Sequence, residues 1–496
     1  MFIRFRKFQR KKLGIKGLWN LWGFLFSLRF LLFIIVFPLG SYKVVEAQDE
    51  VSLTVQARVS PRIPIAFKPF TAKEGTQIRV AIQDTINNVL RRDLFASGVF
   101  SVRDLSLSAN IETSKKSSLH TNNVGDKTYV FLDRSGKVDL ELLRKLSVQV
   151  MVSGEYTVVG SQLEISMELV DISTRRKIVD KGYIAFDVAL RRTIHLMAED
   201  IVMQLRGDKG IAQTRLAFIS QQSGEPELYV SDYDGFNIRQ LTRDGSRKYS
   251  PNWSPAGSRI AYTSYRDGPH ELYIIDLRSG ETTKVPLKGE TVLSPRWSPD
   301  GSHLAISLIK EGLSNLYITT IDGVQLIPLV IGHGINVSPS WSPRGDQVVY
   351  MSDRLTKKHL YVINIDGSGD HRITHEGGYN GSPSWSPRGD RIAFVAGDKV
   401  DPADGRGNRV FNIYTSDING RNLVKLTGIN SREGDNVNPT WSPDGLQILF
   451  GSDRNRKGEF HIYRMYWNGG YAYPVITKDN NRQPVWGPRP ADLEMD

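Results

Sequence analysis

From residue 215 onward, apolar runs of three or four residues recur between clusters of Gly, Pro, Asn and Asp. One run repeats in nearly the same form: Arg259-Ile260-Ala261-Tyr262, His303-Leu304-Ala305-Ile306, Gln347-Val348-Val349-Tyr350, Arg391-Ile392-Ala393-Phe394 and Gln447-Ile448-Leu449-Phe450, with a first copy at Arg215-Leu216-Ala217-Phe218. Runs this short, bounded by turn formers, predict strands rather than helices. A second pattern keeps step with it. Pro-x-Trp occurs at Pro251, Pro295, Pro339, Pro383, Pro439 and Pro484, placing Trp253, Trp297, Trp341, Trp385, Trp441 and Trp486 at separations of 44, 44, 44, 56 and 45 residues. A period of roughly 40–45 residues is that of a four-stranded propeller blade.

The residues between the patterns fit that reading. Ser-Pro-x-Gly follows five of the tryptophans. Pro255, Pro299, Pro343, Pro387 and Pro443 fix φ early in a tight turn, and Gly257, Gly301, Gly345, Gly389 and Gly445 supply the positive φ that ends it. A Leu/Ile-Tyr strand comes next, with Tyr229, Tyr273, Tyr317, Tyr361, Tyr414 and Tyr463. A polar strand then ends in Leu241-Thr242, Ile373-Thr374, Leu426-Thr427 or Ile476-Thr477. With the tryptophan strand called A and the next three B, C and D, the chain holds six B, C and D strands before the sixth A. The first blade lacks a preceding A strand, and residues 483–486 are predicted to fill that place. This closes a six-bladed ring without open sheet edges.

Upstream, the periodicity changes. Ile78, Ile82, Ile86, Val89 and Leu90 fall at helical spacing within 77–92, and 190–206 places Ile194, Met197, Ile201 and Leu205 on one face. Residues 63–70 read as a buried strand, 140–146 as a short helix, and 148–157, 163–170 and 176–185 as a meander of three strands; Gly207 and Gly210 mark the stop. The predicted organisation is multidomain: a small N-terminal α/β domain (63–209) followed by a C-terminal six-bladed β-propeller (210–488) and a short tail (489–496).

Charge alters the picture only at the start. Residues 1–47 carry nine Lys/Arg against Glu46, so most of the net +11 belongs to this segment and gives no ground for nucleic-acid binding. A basic stretch, an apolar run over 31–39 and Val45-Glu46-Ala47 read as a secretory signal peptide (1–47) cleaved between Ala47 and Gln48. The alternative is a retained anchor over 18–39; Arg29 inside that span, at about 2.5–3.5 kcal/mol, favours cleavage. Residues 48–62 follow as an extended arm. There are no cysteines, hence no disulfide framework, thiolate site or cysteine nucleophile.

Catalytic chemistry is sparse. There is no Gly-x-Ser-x-Gly. His371 and His375 share a strand face without a third ligand, and Asp232-Tyr233-Asp234-Gly235 reads as a hairpin turn without the glutamate that a calcium loop needs. Glu164 and Glu168 would stand roughly 13 Å apart along one strand, too far for a glycosidase pair. No catalytic residue, metal site, cofactor or small-molecule substrate is expected.

Topology suggests a binding face instead. With strand A innermost, the residues before each Pro-x-Trp lie at the mouth of the central channel. They are Lys248, Tyr249, Ser250; Val292, Leu293, Ser294; Asn336, Val337, Ser338; Asn380, Gly381, Ser382; Asn436, Val437, Asn438; and Asn481, Arg482, Gln483. Small, amide and apolar side chains suit contact with a protein loop.

The order of leader, α/β domain and propeller, with His195, Asp200, Leu205, Gly207, Gly210, Thr214 and Arg215-Leu216-Ala217-Phe218 at the junction, resembles the TolB family of the Gram-negative Tol–Pal system. The resemblance spans essentially all of the chain after the leader. It implies a non-enzymatic periplasmic scaffold in which the channel mouth binds the peptidoglycan-associated lipoprotein Pal and the N-terminal region faces TolA. Such a protein associates with the outer membrane peripherally, through Pal, and supports envelope integrity and invagination at division. Two stretches depart from the pattern: the polar 106–126 segment and an acidic, Gly-rich insertion at 397–408, which accounts for the 12 extra residues between Trp385 and Trp441. The competing class is a secreted propeller enzyme, a metal-dependent lyase for example. It needs histidines clustered at the mouth, where only His270, His333 and His461 come near, and none of the triplet positions is histidine.

Overall fold

The computed structural model describes residues 62–105, 138–287, 291–332, 334–399, 409–428 and 434–490. The signal peptide with its Ala47/Gln48 cleavage point, nearly all of the arm, the 106–126 segment, His333 and most of the 397–408 insertion lie outside the described residues.

The α/β domain is a mixed sheet. Strand β1 (Ile63–Phe67) pairs in parallel with β3 (Phe100–Asp104) and with β4 (Val150–Val159), and β2 (Thr71–Ala72) also runs parallel to β4. Strands β5 (Gln162–Asp171) and β6 (Lys177–Phe186) continue from β4 as an antiparallel meander. Leu163, Ile165, Met167 and Leu169 are buried, while Glu164 is exposed and Glu168 pairs with Lys177. Helices α1 (Val80–Ala96) and α3 (Leu190–Arg206) belong to the core on one side, and α2 (Leu140–Lys145) sends Leu143 into a smaller cluster with Ala66, Leu105, Val148 and Ile172.

Helix α3 has the predicted bounds, ended by Gly207 at φ 76° in the left-handed conformation. Helix α1 starts and ends later than predicted. Ile78 lies outside it and is exposed, and the helix runs past Arg91-Arg92 to Ala96 because Asp93 faces inward with polar partners. Strand β3 was not foreseen; Ser101, Arg103 and Asp104 give it a polar outline, yet Phe100 is buried and its ladder to β1 is continuous.

The propeller has six four-stranded antiparallel sheets, and the first is completed by the C-terminal strand: Asn481–Trp486 pairs with Arg215–Ser220, which continues to Glu227–Asp232 and Arg239–Gln240. The other A strands are Lys248–Trp253, Thr291–Trp297, Asn336–Trp341, Asn380–Trp385 and Asn436–Trp441. The tryptophans cement the blades. Trp253 packs with Ala217 and Val485 of blade 1 and with Ile260 and Tyr262 of blade 2, and Trp441 likewise with Ala393 and Ile413 of blade 5 and Ile448 of blade 6. Gly257, Gly301, Gly345, Gly389 and Gly445 all have φ between 66° and 76°, and each N–H closes a turn onto the serine three residues earlier.

The repeated Leu/Ile-Thr ending has a specific cause. Strand D is only two residues long in blades 1, 4 and 5, so it leaves strand C short of acceptors. The Thr242, Thr374 and Thr427 hydroxyls accept from the N–H groups of Leu228, Leu360 and Ile413 at 2.9–3.0 Å, replacing the missing ladder bonds.

Candidate functional site: the channel mouth

Strands A and C carry the chain between two faces of the propeller. One face holds the Ser-Pro-x-Gly and C-to-D turns; the other holds the D-to-A and B-to-C loops. The α/β domain occupies the turn face, as three contacts show: the Gln447 side chain donates to the Ala96 carbonyl at 2.7 Å, Tyr466 OH donates to Phe95 O at 3.2 Å, and the Asp234 turn of blade 1 receives Arg92 of α1 and Arg191 of α3. The opposite, mouth face carries no domain among the described residues.

Each A strand is broken at the same place by a β-bulge. Its residue there has positive φ: Ser250 53°, Ser294 50°, Ser338 57°, Ser382 48°, Asn438 52° and Gln483 49°. None is glycine, so each costs roughly 1–2 kcal/mol of backbone strain. The ring repeats that strain six times, and the bulge brings all six side chains to the lining of a central channel of about 290 Å³.

The predicted triplets therefore divide into three tiers. First-position residues Lys248, Val292, Asn336, Asn380, Asn436 and Asn481 are buried and cannot meet a partner. They are structural. Lys248 is held by Asp244 and, at 3.2 Å, by Glu227, while the amides of Asn380, Asn436 and Asn481 donate to the carbonyls of Glu376, Gly434 and Asp479 and close their D-to-A loops. At the second position, Tyr249, Leu293, Val337 and Val437 are half-buried and Arg482 is exposed. Gly381 is also buried there; a Cβ would lie 2.8 Å from the Tyr379 hydroxyl oxygen. Third-position residues line the channel.

Above the channel opens a second cavity of about 600 Å³, lined by Tyr249, Val437 and Arg482 together with Tyr379, Phe411 and Phe460. Ser382, Asn438 and Gln483 line both spaces, so they are continuous. Aromatic rings shape this rim: Tyr379 meets Phe411 edge-on at 5.1 Å, Arg482 lies over Phe460 at 4.6 Å, and His270 stacks on Tyr249 at 5.2 Å with Tyr265 edge-on at 4.0 Å. Burial pushes the Tyr379 phenol up and the His270 imidazole down, so both are neutral near pH 7. The Asp435 carboxyl is raised by burial and by Asp453, against the Phe411 N–H that it accepts at 3.0 Å. Sequence periodicity had no means of finding Tyr379, Phe411 and Phe460, because Tyr379 and Phe460 lie just outside regular strands and Phe411 lies in the part of a C strand that only blade 5 lengthens to nine residues at this end.

Histidines do not converge on the mouth among the described residues. His270, His359 and His461 belong to blades 2, 4 and 6, and His375 Nδ1 is engaged by Arg372. Among the described residues, the one group close enough to hold a cation is Asp93, His195 and Asp234, at the domain junction on the opposite face. Its oxygens are taken: Asp93 receives Tyr233 OH at 2.5 Å and His195 Nδ1 at 2.6 Å, and Asp234 receives two guanidiniums. The Asp232–Gly235 segment is a turn, as predicted, but one that also ties the domains together.

A closed six-bladed propeller, with an α/β domain on its turn face and a polar channel opening into an aromatic-rimmed mouth, defines a two-domain propeller protein. A TolB beta propeller domain model matches residues 202–403. The chain is 35% identical over 124 residues to the Tol-Pal system protein TolB of Geobacter sulfurreducens, covering 25% of this chain and 29% of that one. It is 30% identical over 229 residues to the protein of the same description from Syntrophotalea carbinolica, covering 46% and 48%. The crystal structure of TolB from Acinetobacter baumannii shares the fold, with a TM-score of 0.67 at 20% identity over 86% of this chain and 97% of that one. The chain is thus similar to TolB proteins, in the family model over residues 202–403. Its sequence matches span between 29% and 48% of the length of these two curated relatives.

Proposed function

We propose that the chain is a non-enzymatic periplasmic scaffold of the Tol–Pal system that docks the Pal lipoprotein on the channel mouth. The observation that carries this reading is the asymmetry of the propeller. One face is filled by the α/β domain; the other presents a continuous channel and rim lined by small, hydroxylic and aromatic side chains with Glu225, Arg247, Arg296 and Arg482 among them. Residues that a partner reaches are the second- and third-position side chains, led by Tyr249, Val337, Val437 and Arg482. The periplasmic location rests on the basic-apolar leader, and contact with TolA is assigned to the N-terminal region. Outer-membrane association then runs through the lipoprotein. Among the described residues no helix is long and apolar enough to cross a membrane.

The strands that flank the insertion run toward the same face. Strands B and C of blade 5 extend to Lys399 and Arg409, nine residues each against six in blade 2. The segment between them is proposed to adjust partner affinity.

The test is a titration of the chain from Gln48 to Asp496 against the soluble domain of the cognate lipoprotein. Val337→Arg places a charge on a half-buried rim position and is expected to weaken binding about tenfold or more. A folded wild-type chain that does not bind would remove the proposal.

A further inference from the structure

The channel is also lined by the residue between proline and tryptophan of each A strand: Asn252, Arg296, Ser340, Ser384, Thr440 and Val485. Arg296 is the only ionisable side chain among the described residues that line this space. Among the described residues no carboxylate pairs with it. Its Nη1 donates to the carbonyl of its own neighbour Pro295 at 2.9 Å, and the other donors of the guanidinium have no protein partner. The residue is half-buried against the channel space, and burial pushes its pKa down to about 10. It stays charged at neutral pH. A partly desolvated cation without a counter-ion is costly, and the buried Lys248 is by contrast held by two acids, Asp244 and Glu227.

We propose that the channel is an oxyanion site in which Arg296 binds a carboxylate or phosphate group, with the surrounding serine and threonine hydroxyls as further donors. A planar guanidinium matches such anions with paired N–H bonds, and Ser294, Ser338, Ser340 and Ser384 line the same cavity without competing charge. The ligand enters from the mouth, since the two spaces are continuous. It is either a free small anion or an acidic side chain at the tip of a docked loop; only the second source rests on the docking reading above.

Inorganic phosphate, titrated at constant ionic strength into the Gln48–Asp496 chain, tests the first source. A saturable rise in Tm is expected for wild type and none for Arg296→Gln. Ser340→Asp keeps the arginine but supplies a carboxylate from the next blade, where Ser340 Oγ already accepts the Trp385 N–H at 3.0 Å. It too should abolish the phosphate response, and it decides the matter should Arg296→Gln not fold. The lipoprotein domain, titrated into wild type and the same variants, tests the second source: about tenfold weaker binding by Arg296→Gln assigns the anion to the partner. A phosphate response equal in wild type and both variants, or absent from all three, together with equal lipoprotein binding, overturns the anion site and leaves docking standing. If the lipoprotein binds none of them, docking fails and the phosphate titration alone decides.

Discussion

Replacing Asp93 by alanine is expected to destabilise the protein by about 3–5 kcal/mol, the cost of leaving its buried polar partners unpaired. Asp93 belongs to α1 and is 2% exposed. One carboxylate oxygen accepts Tyr233 OH from the propeller at 2.5 Å, and the other lies 2.6 Å from His195 Nδ1 of α3. Its loss strands two buried polar groups at about 1–3 kcal/mol each, and a short O–H···O⁻ bond is worth toward the upper end of that range. The Tyr233 phenol is held well above its ordinary pKa by burial and by Asp93, so it remains the donor throughout the accessible pH range. Tyr233→Phe removes only the hydroxyl and is expected to cost about 1.5–3 kcal/mol. Because both variants break the same bond, the double variant should fall short of the sum by about 1–2 kcal/mol. Urea unfolding read by tryptophan fluorescence, with hydrogen exchange of α1 and α3, measures each corner of the cycle. Energies additive to within about 0.5 kcal/mol would show that the bond does not couple the domains, and the account of the junction would be wrong.

Three other outcomes follow from local geometry. His270 has its imidazole pushed below the ordinary 6.5 by burial, so the fold binds fewer protons than the unfolded chain; stability should fall as pH drops through about 6.5 and level off below the folded value, and His270→Phe should flatten that slope in a pH series of thermal melts. Gly420 and Gly367 are both turn glycines, at φ 76° and 84°, but a Cβ on Gly420 would lie 1.7 Å from the Ile373 carbonyl oxygen whereas one on Gly367 meets nothing; Gly420→Ala should therefore cost clearly more than Gly367→Ala, whose penalty of about 1–2 kcal/mol is backbone strain alone. Ending the chain at residue 480 removes the A strand of blade 1 and exposes the edge of Arg215–Ser220, and size-exclusion chromatography should show aggregation in place of a monomer.

The repeat made the propeller legible because each blade imposes the same demands on the same positions: a tryptophan for the seam, a proline and a glycine for the turn. Even ring closure followed from counting strands. Asymmetric features were harder to read. Asp93 falls just past the helix predicted over 77–92, and nothing local reveals that His195 and Tyr233 come from 102 and 140 residues away to meet it. The mouth triplets were found as a set, but an alternation rule could not divide them, because the bulge after the second residue breaks the alternation and turns the third inward. Arg296 was visible in principle. Aligning the six Pro-x-Trp motifs leaves it as the one charge among Asn252, Ser340, Ser384, Thr440 and Val485.

The α/β domain does not cover the turn face evenly, and where it sits bears on how the ring stays shut. The core that includes Ile86, Leu90, Ile194 and Met197 continues into Leu216, Phe218, Tyr229 and Tyr233 of blade 1 and into Leu449, Ile462 and Ile476 of blade 6. These two blades flank the point where the C-terminal strand joins the ring. Trp486 belongs to the same cluster and its Nε1 donates to Thr214 at 2.8 Å, while Arg489 donates to the Gly210 carbonyl and pairs with Asp208 at 3.1 Å. Both partners lie in the linker that leads from α3 into the propeller. The closing strand is thus clamped by the segment joining the domains, and a shared apolar core argues against free hinging between them. A propeller cut free at residue 210 would lose the helices that complete this core while keeping every blade hydrogen bond. It is expected to melt below the full chain, with hydrogen exchange accelerated first in Asn481–Trp486 and Arg215–Ser220 and not in blades 3 and 4. Uniform acceleration around the ring would mean that closure does not depend on the α/β domain.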